Sequence, residues 1–191
     1  MDSNEVRTRH GEELRLNLSN TRTGFWQFSC RLYAMPKVSE TCLILQDRYG
    51  LDVNLILFAL WSASQHRQLS SQLLKKTAQF SRHWQRQRVM PLRELRRRMK
   101  SRLSLIAEQR QRDYAQLRES ILTTELGAER LQQQVLARLA ATEPALVSRQ
   151  EVAATMRANL QAVCAESGVE ADSQLQTLLA GLVTSAAPAR K

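Results

Sequence analysis

The chain has 191 residues, enough for one sizeable core or for a compact domain with an appendage. Three cysteines are too few and too irregular for a disulfide framework, and no period of 20 to 50 residues marks a solenoid. The formal net charge of +10 points to a polyanion or an acidic partner surface and says nothing about fold.

Leu, Ala, Gln, Arg and Glu dominate, the residues that lose least on entering a helix, whereas glycine and proline are scarce. No stretch alternates in the manner of a strand. The expected fold is therefore all-α: a compact multi-helix N-terminal domain, then a long helix or helical hairpin, then two shorter C-terminal helices. Residues 1–22 are polar and aperiodic and read as a flexible arm. Residues 23–106 read as the helical domain, 107–183 as a C-terminal helical extension and 184–191 as a frayed tail.

Thr23 is the expected N-cap of a first helix with the face Phe25, Trp26, Phe28, Ser29, Leu32 and Tyr33. Pro36 ends it, because a residue before proline is pushed out of the helical region. A second helix over 38–49 repeats Val38, Cys42, Leu45 and Tyr49, and Gly50 suits a left-handed closing position. Asp52 caps a third helix that is apolar all round through Trp61 and so belongs at the centre of the domain. A fourth starts at Ser70 or Ser71 and runs through Trp84 into the 100s, with Pro91 either kinking it or starting a new helix. From Tyr114 onward, Leu117, Ile121, Ala128, Leu131, Val135 and Leu139 trace a seven-residue stripe, as expected of an antiparallel helical arm or hairpin. Thr142, Glu143 and Pro144 mark a turn, and Ser148 with Glu151 forms a capping box for a helix carrying Val152, Met156, Leu160 and Val163. Gly168 closes that helix, and Asp172 opens a last one with Leu175, Leu178, Leu179 and Leu182.

The longest apolar stretch, residues 55–61, is far short of the ~20 residues needed to span a bilayer. The polar N-terminus lacks the apolar segment of a secretory signal. Cytoplasm is the expected compartment, with Cys30, Cys42 and Cys164 as small buried thiols.

Three blocks of the first half form a pattern: FWQFSCRLYAMPKV from Phe25, LQDRYGLDVNLILFALW from Leu45, and W-x4-V-x-PLRELRRRMK from Trp84. Their order and spacing resemble an uncharacterised family of proteobacterial hypothetical proteins known only as a domain of unknown function. The resemblance covers about residues 24–106, and Asp52, Asn54 and Trp61 fall where the family pattern has them. It implies no activity, cofactor or site.

The positive charge is confined. Residues 75–112 hold thirteen basic and two acidic side chains, so the rest of the chain is close to neutral. On a helical wheel of 82–106, Trp84, Leu92, Leu95, Met99, Leu103 and Ile106 fall on one face. Arg82, Arg86, Arg93, Arg96, Arg97 and Lys100 fall on the other, with Pro91 able to shift the phase between the halves. Arginine outnumbers lysine in this segment, and its rigid fork suits phosphate or carboxylate recognition. These six residues are the candidate partner- or phosphate-binding stripe. The same pattern also suits a solvated outer face.

A second candidate is the polar cluster Asp47, Asp52 and Asn54 beside Arg48, wedged between two apolar helices. Asp47 and Asp52 straddle a turn and would serve as paired carboxylates for a metal or for acid–base work. The structural alternative has Asp52 capping a helix, Asn54 satisfying free backbone groups and Asp47 pairing with an arginine such as Arg88 or Arg93. His10, His66 and His83 stand apart with no metal-ligand spacing, and no nucleophile motif or phosphate loop is present. No catalytic residue, metal site or cofactor is assigned. Helices 38–49 and 52–65 superficially suggest a helix-turn-helix, but the second lacks the exposed polar face that base reading needs. Trp26, Trp61 and Trp84 read as core anchors.

The leading reading is a non-enzymatic helical binding module whose basic helix face holds an acidic protein surface, with self-association through the C-terminal helices as a further role. The alternatives are sequence-independent RNA or DNA binding and an enzyme built around Asp47, Asp52 and Asn54.

Overall fold

The computed structural model describes residues 24–143, 146–147, 151–170 and 172–187. Eight α-helices make up most of it: α1 Phe25–Tyr33, α2 Val38–Asp47, α3 Val53–Ser64, α4 Ser71–Trp84, α5 Met90–Ser101, α6 Gln111–Thr142, α7 Val152–Glu166 and α8 Ser173–Ala186. A π-helical turn, Gln85–Val89, joins α4 to α5 without a break, so the helical rods number seven. The long α6 followed by two shorter helices matches the expected architecture. The extended structure among the described residues is one two-residue antiparallel pairing, Arg67–Gln68 with Leu146–Val147. The arm 1–22 with His10, the Thr23 cap, Pro144, Ser148 and the last residues of the tail lie outside the described residues.

α3 is the centre. Leu55, Ile56, Leu57, Phe58, Ala59, Leu60 and Ala63 are all buried, which requires neighbours on every side. α1 covers one side through Phe25 and Phe28, and Phe25 stacks on Trp61 with centroids 5.2 Å apart. α7 lies along another side with Met156, Leu160 and Val163, and α8 adds Leu175, Leu179, Leu182 and Val183 to the same core. Local chemistry sets the ends. Asp52 accepts the Asn54 N–H at 2.9 Å, Ser70 accepts that of Leu73 at 3.0 Å, and Asp172 accepts that of Leu175 at 2.6 Å. Gly50 and Gly168 take the positive φ values, 64° and 67°, that close α2 and α7.

Four expectations change. α1 is capped by Gly24, with no side-chain hydrogen bond. Glu151 stands at the N-cap of α7 rather than at its third position, so the expected capping box is not made with that residue. α8 continues to Ala186, past the expected start of the tail. α2 stops at Asp47, which leaves Tyr49 beyond the helix to donate its hydroxyl to Asp172 at 2.9 Å.

The π turn explains a larger change. The Met90 N–H reaches the Gln85 carbonyl, an i→i+5 bond that puts one extra residue into the turn ahead of Pro91. Each residue after it therefore takes the angular place of its predecessor, roughly 100° away. Arg93 and Arg96 occupy the inward positions that a uniform helix gives to Leu92 and Leu95, and Leu95 is exposed. α6 differs similarly. Its buried residues are Leu122, Glu125, Gln132, Gln133, Leu136 and Ala140, whereas Leu117 and Leu131 of the expected stripe are exposed.

Candidate functional site

The inward face of α6 is largely polar, and it meets polar groups from four other helical segments. Ser29 of α1 donates to Gln133 Oε1 at 3.1 Å, and Gln133 Nε2 donates to Asn54 Oδ1 at 2.8 Å. Asn54 Nδ2 donates to Gln132 Oε1 at 2.7 Å. Gln132 Nε2 donates to Asp52 Oδ2 at 2.8 Å and to Ser81 Oγ at 2.5 Å. Ser81 donates to Asp52 Oδ2, and Gln85, in the π turn, donates to Asp52 Oδ1 at 3.2 Å. Two adjacent glutamines on α6 are thus locked by α1, α3 and α4, each amide using both its oxygen and its nitrogen. A polar layer satisfied in this way specifies one register, because a shifted helix leaves several buried groups unpaired.

Next to it lies a buried ionic cluster. The Glu125 side chain is 0% exposed. Its oxygens accept from Arg93 Nε at 2.9 Å and Arg96 Nε at 2.6 Å. Arg93 also donates to Glu129 at 2.7 Å and to Gln46 at 2.6 Å, and the two arginine side chains are only 13% and 12% exposed. Burial pushes the Glu125 carboxyl up, but Arg96 and Arg93 outweigh it and hold the group below its ordinary range.

The outer members of both networks line a cleft of about 950 Å³ between α1–α2 and the α4–α5 rod, bordered by α6. The volume is at the upper end of the range for ligand sites. Its charged residues are Lys37, Asp47, Asp52, Arg82, Arg86, Arg93, Glu94, Arg97 and Glu129. Most are already matched: Arg97 to Asp47 at 3.0 Å, Arg98 to Glu94 at 3.0 Å, Arg93 to Glu129, and Arg82 to Glu166 at 3.8 Å. Asp52 is held within the polar layer. Lys37 and Arg86 have no ionic partner among the described residues, so the unmatched charge of the cleft is cationic. Met35, Leu43 and Met90 add exposed apolar surface to its lining.

The two carboxylates singled out by the sequence both line this cleft, with opposite shifts. The Asp47 carboxyl is lowered, chiefly by a hydrogen bond from Gln46 and further by Arg97. Burial raises Asp52, against hydrogen bonds from Ser81, Asn54 N–H and Gln132. Asp52 also caps α3, and Asp47 pairs with Arg97 rather than with Arg88 or Arg93. Asn54 satisfies glutamine side chains rather than free backbone groups. The six cations of the candidate stripe are dispersed. Arg93 and Arg96 point into the fold, Arg82 and Arg97 are exposed but paired, and Arg86 and Lys100 are exposed without an ionic partner among the described residues.

Sequence reasoning missed Glu125, Glu129, Gln132 and Gln133, since polar residues on an exposed-looking helix carry no mark of burial. One signal was available: Arg93 and Arg96 at i,i+3 complement Glu125 and Glu129 at i,i+4 on the next long helix. Burial raises the Cys30 thiol, which also lines the cleft, to about 11, well away from a reactive thiolate. Among the described residues no group of three or more His, Cys, Asp or Glu side chains is arranged to hold a metal, and no helix is long and apolar enough to cross a membrane.

A family model described as "Protein of unknown function (DUF2390)" matches residues 24–136, more than half of the chain, and the chain belongs to that family. The match runs beyond the expected limit near residue 106 and takes in most of α6. No curated protein and no solved structure matches the chain.

Proposed function

We propose that this member of the DUF2390 family is a non-enzymatic helical binding module. Its cleft receives an acidic, amphipathic segment of a partner protein. The observation that carries the reading is the combination of unmatched Lys37 and Arg86 with exposed Met35, Leu43 and Met90 around one cleft. Free cations supply complementarity to carboxylates, and methionine side chains adapt to an apolar face laid against them. Compared with a continuous arginine stripe, this surface moves from the outer face of α5 to the space between α1–α2 and the α4–α5 rod.

Selection from a library of helical peptides tests it. Retained peptides should be acidic with large apolar anchors, and K37E/R86E should lose them by tenfold or more while exposed Arg88→Glu, outside the cleft lining, should not. Retention of basic or unbiased peptides would sink the reading. Capture that disappears on nuclease treatment and falls steeply with salt would favour nucleic acid instead.

A second reading has one specific support. Asp47 and Asp52 line one cleft with pKa values moved apart, the division of labour that acid–base catalysts use. Against it, both Asp52 oxygens are already held by Ser81, Gln132, Gln85 and the Asn54 N–H, which suits a structural group better than an acid in turnover.

A further inference from the structure

The end of the α5–α6 hairpin lies away from the cleft and differs from it in character. Across residues 101–120 no residue is buried, and only Ile106, Tyr114 and Arg118 are half-covered. The first buried residue of α6 is Leu122, so the preceding part of the helix, roughly 15 Å, adds nothing to the buried core. This tip exposes Leu103 and Leu105 on a 3₁₀ turn, with Leu105 79% exposed, together with Leu117 of α6. Residues 98–113 hold five cations against Glu108 and Asp113. Lys100, Arg102 and Arg112 have no ionic partner among the described residues, whereas Arg98 and Arg110 are in exposed pairs with Glu94 and Asp113.

We propose that this tip is a docking surface for an anionic lipid bilayer. Exposed leucines ringed by unmatched cations are the chemistry of interfacial attachment: the side chains enter the acyl boundary and the charges meet acidic headgroups. The leucines are spread over the turn and the helix that follows it, a scatter that a fluid surface accommodates without a complementary pocket. Nucleic acid would use the cations and leave the leucines idle, because base stacking calls for aromatic side chains, and Tyr114 is the aromatic residue of this region. A second copy of the tip would repel the first.

Flotation of the full chain with phosphatidylcholine vesicles, with and without phosphatidylglycerol, tests the inference. Binding should require phosphatidylglycerol and weaken with salt. L103S/L105S and K100E/R102E should each reduce it at least tenfold, with helicity unchanged by circular dichroism. K37E/R86E should bind vesicles as wild type does, which keeps this test independent of the cleft. Absence of binding to anionic vesicles, or binding that L103S/L105S leaves unchanged, would overturn the proposal.

Discussion

Glu125 is where the chemistry of a single residue is most consequential. A carboxylate with no exposed surface persists because two guanidinium groups meet its two oxygens. Removing it leaves Arg93 and Arg96 buried and uncompensated, so Glu125→Ala should cost about 3–5 kcal/mol in urea unfolding. The pH dependence has a definite sign. The folded-state pKa lies below the ordinary 4.5, so the contribution is present above that value and is lost as pH falls toward the folded one. Glu125→Gln should remove this part of the acid limb; an unchanged limb would mean the cluster contributes little. Apart from its spacing to Glu129, little in the sequence distinguishes Glu125 from the exposed Glu119 six positions earlier, because burial of a polar residue is decided by its partners. Asp52 was legible as a cap because capping is local.

At the scale of elements, most of the helices could be read in advance, and the face each presents could not always be. α3 was readable because it is apolar all round, which leaves no face to misassign. The α4–α5 rod was not, because one π turn rotates everything after it. Inserting one alanine after Gln87, exposed in that turn, should rotate everything downstream by roughly a further 100°. Leu92 and Leu95 would then turn toward α6, and Arg93 and Arg96 would leave Glu125. The expected loss is about the same as for Glu125→Ala, read from denaturant midpoints. A loss below about 1 kcal/mol would show that the phase of the rod does not set the pairing of Glu125. α6 was misread for a related reason: its leucines at 117 and 131 follow a heptad that faces outward. Its inward face is specified by hydrogen bonding rather than by apolarity.

Over the whole molecule, the family pattern stops at residue 136 but the core does not. Met156 and Leu160 of α7 are buried against α3, and Leu175 and Leu182 of α8 complete the same cluster. Leu160→Ala should therefore cost about 2–5 kcal/mol and act on the entire fold in one cooperative transition. A separate early transition in calorimetry would instead mark α7–α8 as an independent unit. The sequence by itself determined the all-α class, the central place of α3, the helix starts at Asp52 and Asp172, and the confinement of positive charge to residues 75–112. Each of these depends on composition or on contacts a few residues apart. Only the tertiary structure decided which of those cations are consumed inside, which stay free at the cleft and the hairpin tip, and that two glutamines and a glutamate of α6 are buried. Those outcomes rest on partners 29 to 104 positions away and on the phase of one widened turn, so no local pattern carries them.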